Sequence, residues 1–242
     1  MRIKYITPSQ SVKVQWVTAT VTASYSSYTV TLPKPVSVGD LIVTVQITDG
    51  NDNLGATFTP TDNFNNTYNS VGGAYLGQSI VCGGSVSSIG EYGVYYAISQ
   101  ASGQLSVTVS WEYPISPFIV AVIVFSGLKY TGTPQAEGVS GQSTNSSPIT
   151  FTTTLMQSAI YKYVIALVYY DYTSINLTPT ISPVNSQQLV EYGETGFTAC
   201  YPSTVLDLAF GIYIVQSKQN LTLEYDVNIE NGATYGIEAI EV

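Results

Sequence analysis

Glu191 and Glu194 lie in the run Glu191-Tyr192-Gly193-Glu194-Thr195-Gly196, and Asp207 follows inside an apolar segment. Two carboxylates flanking a sugar, one held protonated by apolar surroundings, are what glycoside hydrolysis requires. Nothing in the spacing sets their separation, so Asp207 reads better as a partly buried hydrogen-bonding group. Ser126-Gly127-Leu128-Lys129 has the Ser-x-x-Lys spacing of a lysine-activated serine. Its Ser-Asp-Asn and Lys-Thr-Gly companions are missing, and it trails a strand instead of opening a helix. The chain contains no histidine, which removes Ser–His–Asp and Cys–His nucleophiles and most zinc sites. No glycine-rich phosphate loop is present. On this reading the chain is not an enzyme and calls for no cofactor.

Binding chemistry has more candidates. Asp49-Gly50-Asn51-Asp52-Asn53, with Asp62 and Asn63, gathers the hard oxygen ligands calcium prefers. The spacing differs from that of a helix–loop–helix calcium loop, and Asp and Asn are ordinary turn residues. Asp49 and Asp52 are therefore weak calcium candidates, and no metal is expected. Asn65, Asn145, Asn176 and Asn220 each open an Asn-x-Ser/Thr sequon in a predicted loop or turn, which makes them glycosylation candidates. Cys82 and Cys200 occupy equivalent places in two similar stretches. A bridge between them would close a long loop, worth at most about 4–5 kcal/mol; two buried free thiols are the alternative. Among the 20 tyrosines, Tyr172 and Tyr192 sit in a long polar stretch where exposed rings could stack on sugars. Together with Asp62 and Asn63 they are the ligand or interface candidates, with subunit packing the competing use of tyrosine.

The elements that must carry these residues are strands. Alternation with a period of two recurs from Val12–Val21 to Thr234–Glu241, and Gly, Pro, Asn and Ser separate the segments. In Leu105-Ser106-Val107-Thr108-Val109-Ser110-Trp111 the odd positions should point inward. Phe118–Phe125 and Tyr163–Tyr170 are apolar on both faces, as expected mid-sheet. Val94–Val109 and Ile212–Tyr225 match as strand, polar turn and strand, each with a cysteine upstream of its tyrosine. The stretch from Thr131 to Ser147 reads as a flexible link between halves.

Net charge is −9 and charged residues make up only 10% of the chain. The seven basic residues are scattered, so neither nucleic-acid binding nor a polybasic membrane contact is expected. The apolar runs are too short for a helix that inserts into a membrane. Met1-Arg2-Ile3-Lys4 is followed by no continuous apolar region, so the expectation is either a mature form whose leader was removed or export by another route, such as inside an assembled particle.

Val36-Ser37-Val38-Gly39-Asp40-Leu41-Ile42-Val43-Thr44-Val45 resembles the "GDLLV" strand of a large class of phage, bacterial and archaeal surface modules. In that class an Asp-x-x-Asn-x-Tyr loop follows; Asp62-Asn63-Phe64-Asn65-Asn66-Thr67-Tyr68 departs from it by one residue. A tyrosine-rich strand (Val94 to Trp111) and an apolar strand ending in Ser126-Gly127 complete the match. The resemblance spans about residues 28–130, and 148–228 more loosely. It implies an all-β, jelly-roll-like antiparallel β-sandwich, here with two pseudo-repeated halves at about 28–130 and 148–242. We expect one sandwich domain over 1–242, its strand within 1–23 either packed at home or extended for subunit exchange.

The composition is also similar to external structural proteins of viruses infecting hot-spring archaea and to secreted archaeal filament subunits. That likeness implies a non-enzymatic capsid or turret-type surface protein of an extracellular assembly. Its partners would be copies of itself and other particle proteins. The alternatives are a host-recognition module binding surface glycans and a filament subunit using strand addition.

Overall fold

The computed structural model describes residues 13–21, 23, 25–48, 59–80, 86–115, 118–127, 135–142, 149–155, 161–172, 181–183, 188–199, 204–216, 221–227 and 234–241. Side-chain surroundings are described for 13–21, 23, 25–46, 59–71, 93–111 and 118–127. Every described regular element is a strand. In the first half these are β1 (Lys13–Val21), β2 (Tyr25–Thr31), β3 (Leu41–Thr48), β4 (Thr61–Asp62), β5 (Asn69–Ile80), β6 (Val86–Ile98), β7 (Ser106–Ile115) and β8 (Phe118–Ser126). The second half has β9 (Gln135–Gln142), β10 (Ile149–Leu155), β11 (Tyr161–Tyr172), β12 (Ile181–Pro183), β13 (Gln188–Ala199), β14 (Thr204–Gln216), β15 (Leu221–Val227) and β16 (Thr234–Glu241).

Each half forms a five-stranded inner sheet and a three-stranded outer one. The first half has orders β1-β8-β3-β6-β5 and β2-β7-β4; the second has β13-β14-β11-β16-β9 and β10-β15-β12. All described pairings are antiparallel. Adding eight to each strand number of the first half reproduces the second half's order, read from the other edge.

Alternation explains how the first half closes. On β7, Val107, Val109 and Trp111 are buried, as are Val30 on β2 and Leu105 just before β7. They meet Val21, Ile42, Tyr95, Ala97, Phe118, Val120, Val122 and Val124 from the inner sheet in one core. Trp111 packs on Phe118 with ring centroids 4.2 Å apart, and Tyr28 meets the same ring edge-on. The other face of β2 and β7 is a hydroxyl ladder: Thr29 bonds Thr108 at 2.8 Å and Thr31 bonds Ser106 at 2.8 Å.

The opposite face of the inner sheet is just as dry. Leu41, Val43, Val45, Ile119, Ala121, Ile123 and Phe125 alternate with the core residues and are fully buried. β1 adjoins β13 at one edge, and β5 adjoins β9, β16 and β11 at the other. β10 lies near β16 and β12 near β14.

Each described sheet draws its strands from one half of the chain. Lys13–Val21 pairs along its whole length with β8. Residues 1–12 lie outside the described residues.

One feature of the core opposes stability. Thr44 and Gln46 sit on the core face of β3, opposite Val122 and Val120. Thr44 Oγ1, both side-chain amide atoms of Gln46 and Trp111 Nε1 are buried with no hydrogen-bond partner. An unsatisfied buried polar group costs about 1–3 kcal/mol. Replacing Gln46 with methionine, similar in length, should therefore raise the urea midpoint, by about 1–3 kcal/mol of unfolding free energy. A drop would show that the Gln46 amide makes bonds that methionine cannot.

Candidate functional site

The densest polar constellation in the described residues lies at one end of the first sandwich, where β4 turns toward β5. Asp62 ends β4 and is buried. Its Oδ1 accepts from the backbone amides of Phe64 (2.9 Å) and Asn66 (3.1 Å). Its Oδ2 accepts from Asn66 Nδ2 (2.8 Å) and from the Tyr68 hydroxyl (2.9 Å). Asn66 Oδ1 in turn accepts from the amide of Gln100, tying the loop to the end of β6. Asn63 clamps the other side: Nδ2 donates to the Gln104 carbonyl and Oδ1 accepts from the amide of Ser106.

Beside this knot lies a second clasp. Gly39 adopts φ 87°, which lets Ser37–Asp40 turn tightly before β3. The Asp40 carboxylate accepts from the Ser37 amide (2.8 Å) and from the hydroxyl of Ser126 at the end of β8 (2.7 Å). Val36 and Gly103 exchange backbone hydrogen bonds in an isolated bridge. A side chain at Gly103, whose φ is 143°, would press on the Phe64 ring at 3.3 Å. The Gly39-Asp40 and Ser126-Gly127 pairs, read as separate motifs, are thus the two jaws of one clasp.

This geometry reassigns several residues. An ionised carboxylate offers about four acceptor sites, and four donors within the chain already fill those of Asp62. The single side-chain oxygen of Asn63 accepts from the Ser106 amide. Ser126 directs its hydroxyl to Asp40, which ties the end of β8 to the turn before β3. Asn66 and Tyr68 were not singled out from the sequence, although the Asp-x-x-x-Asn-x-Tyr spacing carries the signal.

Burial pushes the Tyr68 hydroxyl far above its ordinary value, and the charge and hydrogen bond of Asp62 add to the effect. Tyr68 therefore stays protonated as a donor. In the unfolded chain a tyrosine ionises near pH 10. Stability from this group is thus complete below pH 10 and is lost as pH rises above it. The slope for one proton is about 1.4 kcal/mol per pH unit. Tyr68→Phe should cost about 1–3 kcal/mol at pH 7 and show a shallower alkaline decline by that one proton. Denaturant unfolding of both proteins from pH 8 to 11.5 checks this; parallel curves would contradict it.

The remaining candidates fall in the second half or outside the described residues. Glu191 and Glu194 lie on β13, an edge strand. Glu194 pairs with Ala209 and Asp207 with Gly196, which makes Glu194 and Asp207 diagonal neighbours on one face, about 7–8 Å apart at Cα. Glu191, opposite Ile212, falls on the other face. Tyr172 ends β11 opposite Val205, while Tyr192 on β13 stands opposite Gly211. Their register positions are six residues apart on β14, about 20 Å. Cys82, Cys200, Asn145, Asn176, Asn220, Asp49, Asp52 and Lys129 lie outside the described residues. Asn65 is described: exposed, with φ 56°, in the turn after Asp62.

What fold and site together define is an antiparallel all-β protein whose polar knots brace loops. Comparisons with protein-family models, with curated proteins and with solved structures each found no match.

Proposed function

We propose that the chain is a non-enzymatic structural protein of an extracellular assembly, a surface element of a virion of the archaeal kind. The observation that carries this reading is the commitment of the described carboxylates. Asp40 and Asp62, the buried acids of the site, accept every bond from their own chain. Such side chains brace loops and leave little for a substrate.

The fold is read as two jelly-roll-like units in tandem. Successive strands alternate between the inner and outer sheets of each half, and β1-β8-β3-β6 opposite β2-β7-β4 is the order such a wrapping produces. β5 departs from it by joining the inner sheet beside β6. The shared strand order also supports reading the halves as pseudo-repeats.

The exposed outer sheet offers neighbours an uncharged surface of Ser27, Thr29, Thr31, Thr61 and the aromatic Tyr25. Contacts made by hydroxyls and tyrosine hardly respond to pH or salt. Sedimentation velocity of the purified chain over pH 3–8 and 0.05–1 M salt tests the proposal. Association that persists across that range supports it. A monomer under all conditions, or one that assembles only at low salt, contradicts it.

A further inference from the structure

We propose that Asn65 carries an N-linked glycan, which makes the loop end of the first sandwich a shielded, solvent-facing surface. The structure sets Asn65 apart from its neighbours. Asp62, Asn63, Asn66 and Tyr68 all place their side-chain polar atoms in hydrogen bonds that hold the loop. The side chains of Asn65 and Thr67 enter none of these bonds, and both residues are exposed. These are the two sequon positions a glycosyltransferase reads: the amide that is modified and the hydroxyl two residues on. Between them, Asn66 is buried and anchored to Gln100. The fold thus leaves free the sequon's two reactive side chains and fixes the one between them.

Asn65 adopts φ 56°, a left-handed conformation asparagine tolerates better than most residues. Its side chain is exposed, so a bulky group there meets solvent.

The chemistry balances with a lipid-pyrophosphate-linked oligosaccharide as donor. The Asn65 Nδ2 attacks the anomeric carbon, a C–N bond forms as the C–O bond to phosphate breaks, lipid pyrophosphate leaves, and the amide loses one proton to a base. The inference rests on the extracellular reading only for meeting such a donor. It also implies that neighbouring copies pack against other surfaces than this end.

Glycopeptide mass spectrometry on protein isolated from the source that makes it, with a Thr67→Val variant made there, is the test. Thr67→Val removes the sequon without disturbing the turn at Asn65. The expected result is a glycan mass on the Asn65 peptide of most copies, lost in the variant, with the unfolding midpoint of the aglycosyl proteins unchanged. A bare Asn65 peptide overturns the inference. If Asn145, Asn176 or Asn220 then carries glycan, the exterior reading survives without this site. If all four are bare, sedimentation decides separately whether the assembly reading falls too.

Discussion

Replacing Asp62 with alanine lowers the unfolding free energy by about 3–5 kcal/mol, among the largest effects expected of any described polar side chain. The substitution strips four donors of their acceptor at once: two backbone amides, the Asn66 amide and the Tyr68 hydroxyl. Asn66 and Tyr68 are themselves buried, so water does not readily replace the carboxylate. The loss should be strongly non-additive with Tyr68→Phe, because the two share one hydrogen bond. Chemical denaturation of both single variants and the double variant gives the coupling. A loss under about 1 kcal/mol for Asp62→Ala would show that the loop holds without the knot.

The second large effect is expected on the face of the first inner sheet that looks away from its own core. Val43 lies mid-strand on β3, between β8 and β6, and is fully buried. Val43→Asp places an unpaired charge on this buried face and should cost more than about 4 kcal/mol, enough to unfold much of the population. Ser27→Asp, on the exposed face of β2, should stay within about 0.5 kcal/mol of the parent. Thermal unfolding of the pair reads the burial directly. Equal, small effects would mean that this face of β3 is open to water.

Much of this architecture was legible because period-two patterning is a local consequence of the pleat. Leu105–Trp111 was read with its odd residues inward, and Leu105, Val107, Val109 and Trp111 are buried. The doubly apolar run Phe118–Phe125 was read as mid-sheet, and β8 lies between β1 and β3. What escaped reading were the edges. Gln135–Gln142 and Gln188–Ala199 are rich in Gly, Gln and Glu, a composition that suggests link and loop, yet they are β9 and β13. Both border a sheet, where one side has no strand to satisfy and polar residues and glycines are tolerated. A short strand such as β4 carries too few residues for any period to show.

The site was legible in its residue types but not in its partners. Asp62 and Asn63 drew notice as oxygen ligands, and a carboxylate read alone looks available. That Asn66, Tyr68 and two amides fill it depends on a tight turn, which residue types suggest and only geometry completes. Ser126 and Asp40, 86 residues apart, meet because β8 pairs with β3. No local pattern encodes that meeting.

Imaging the native assembly at residue resolution tests the central claim most directly. Repeated copies touching through their outer sheets or sheet edges, with Asp40 and Asp62 still turned inward onto their own loops, is the predicted picture. Solitary copies, each with a small molecule seated against those carboxylates, would contradict it.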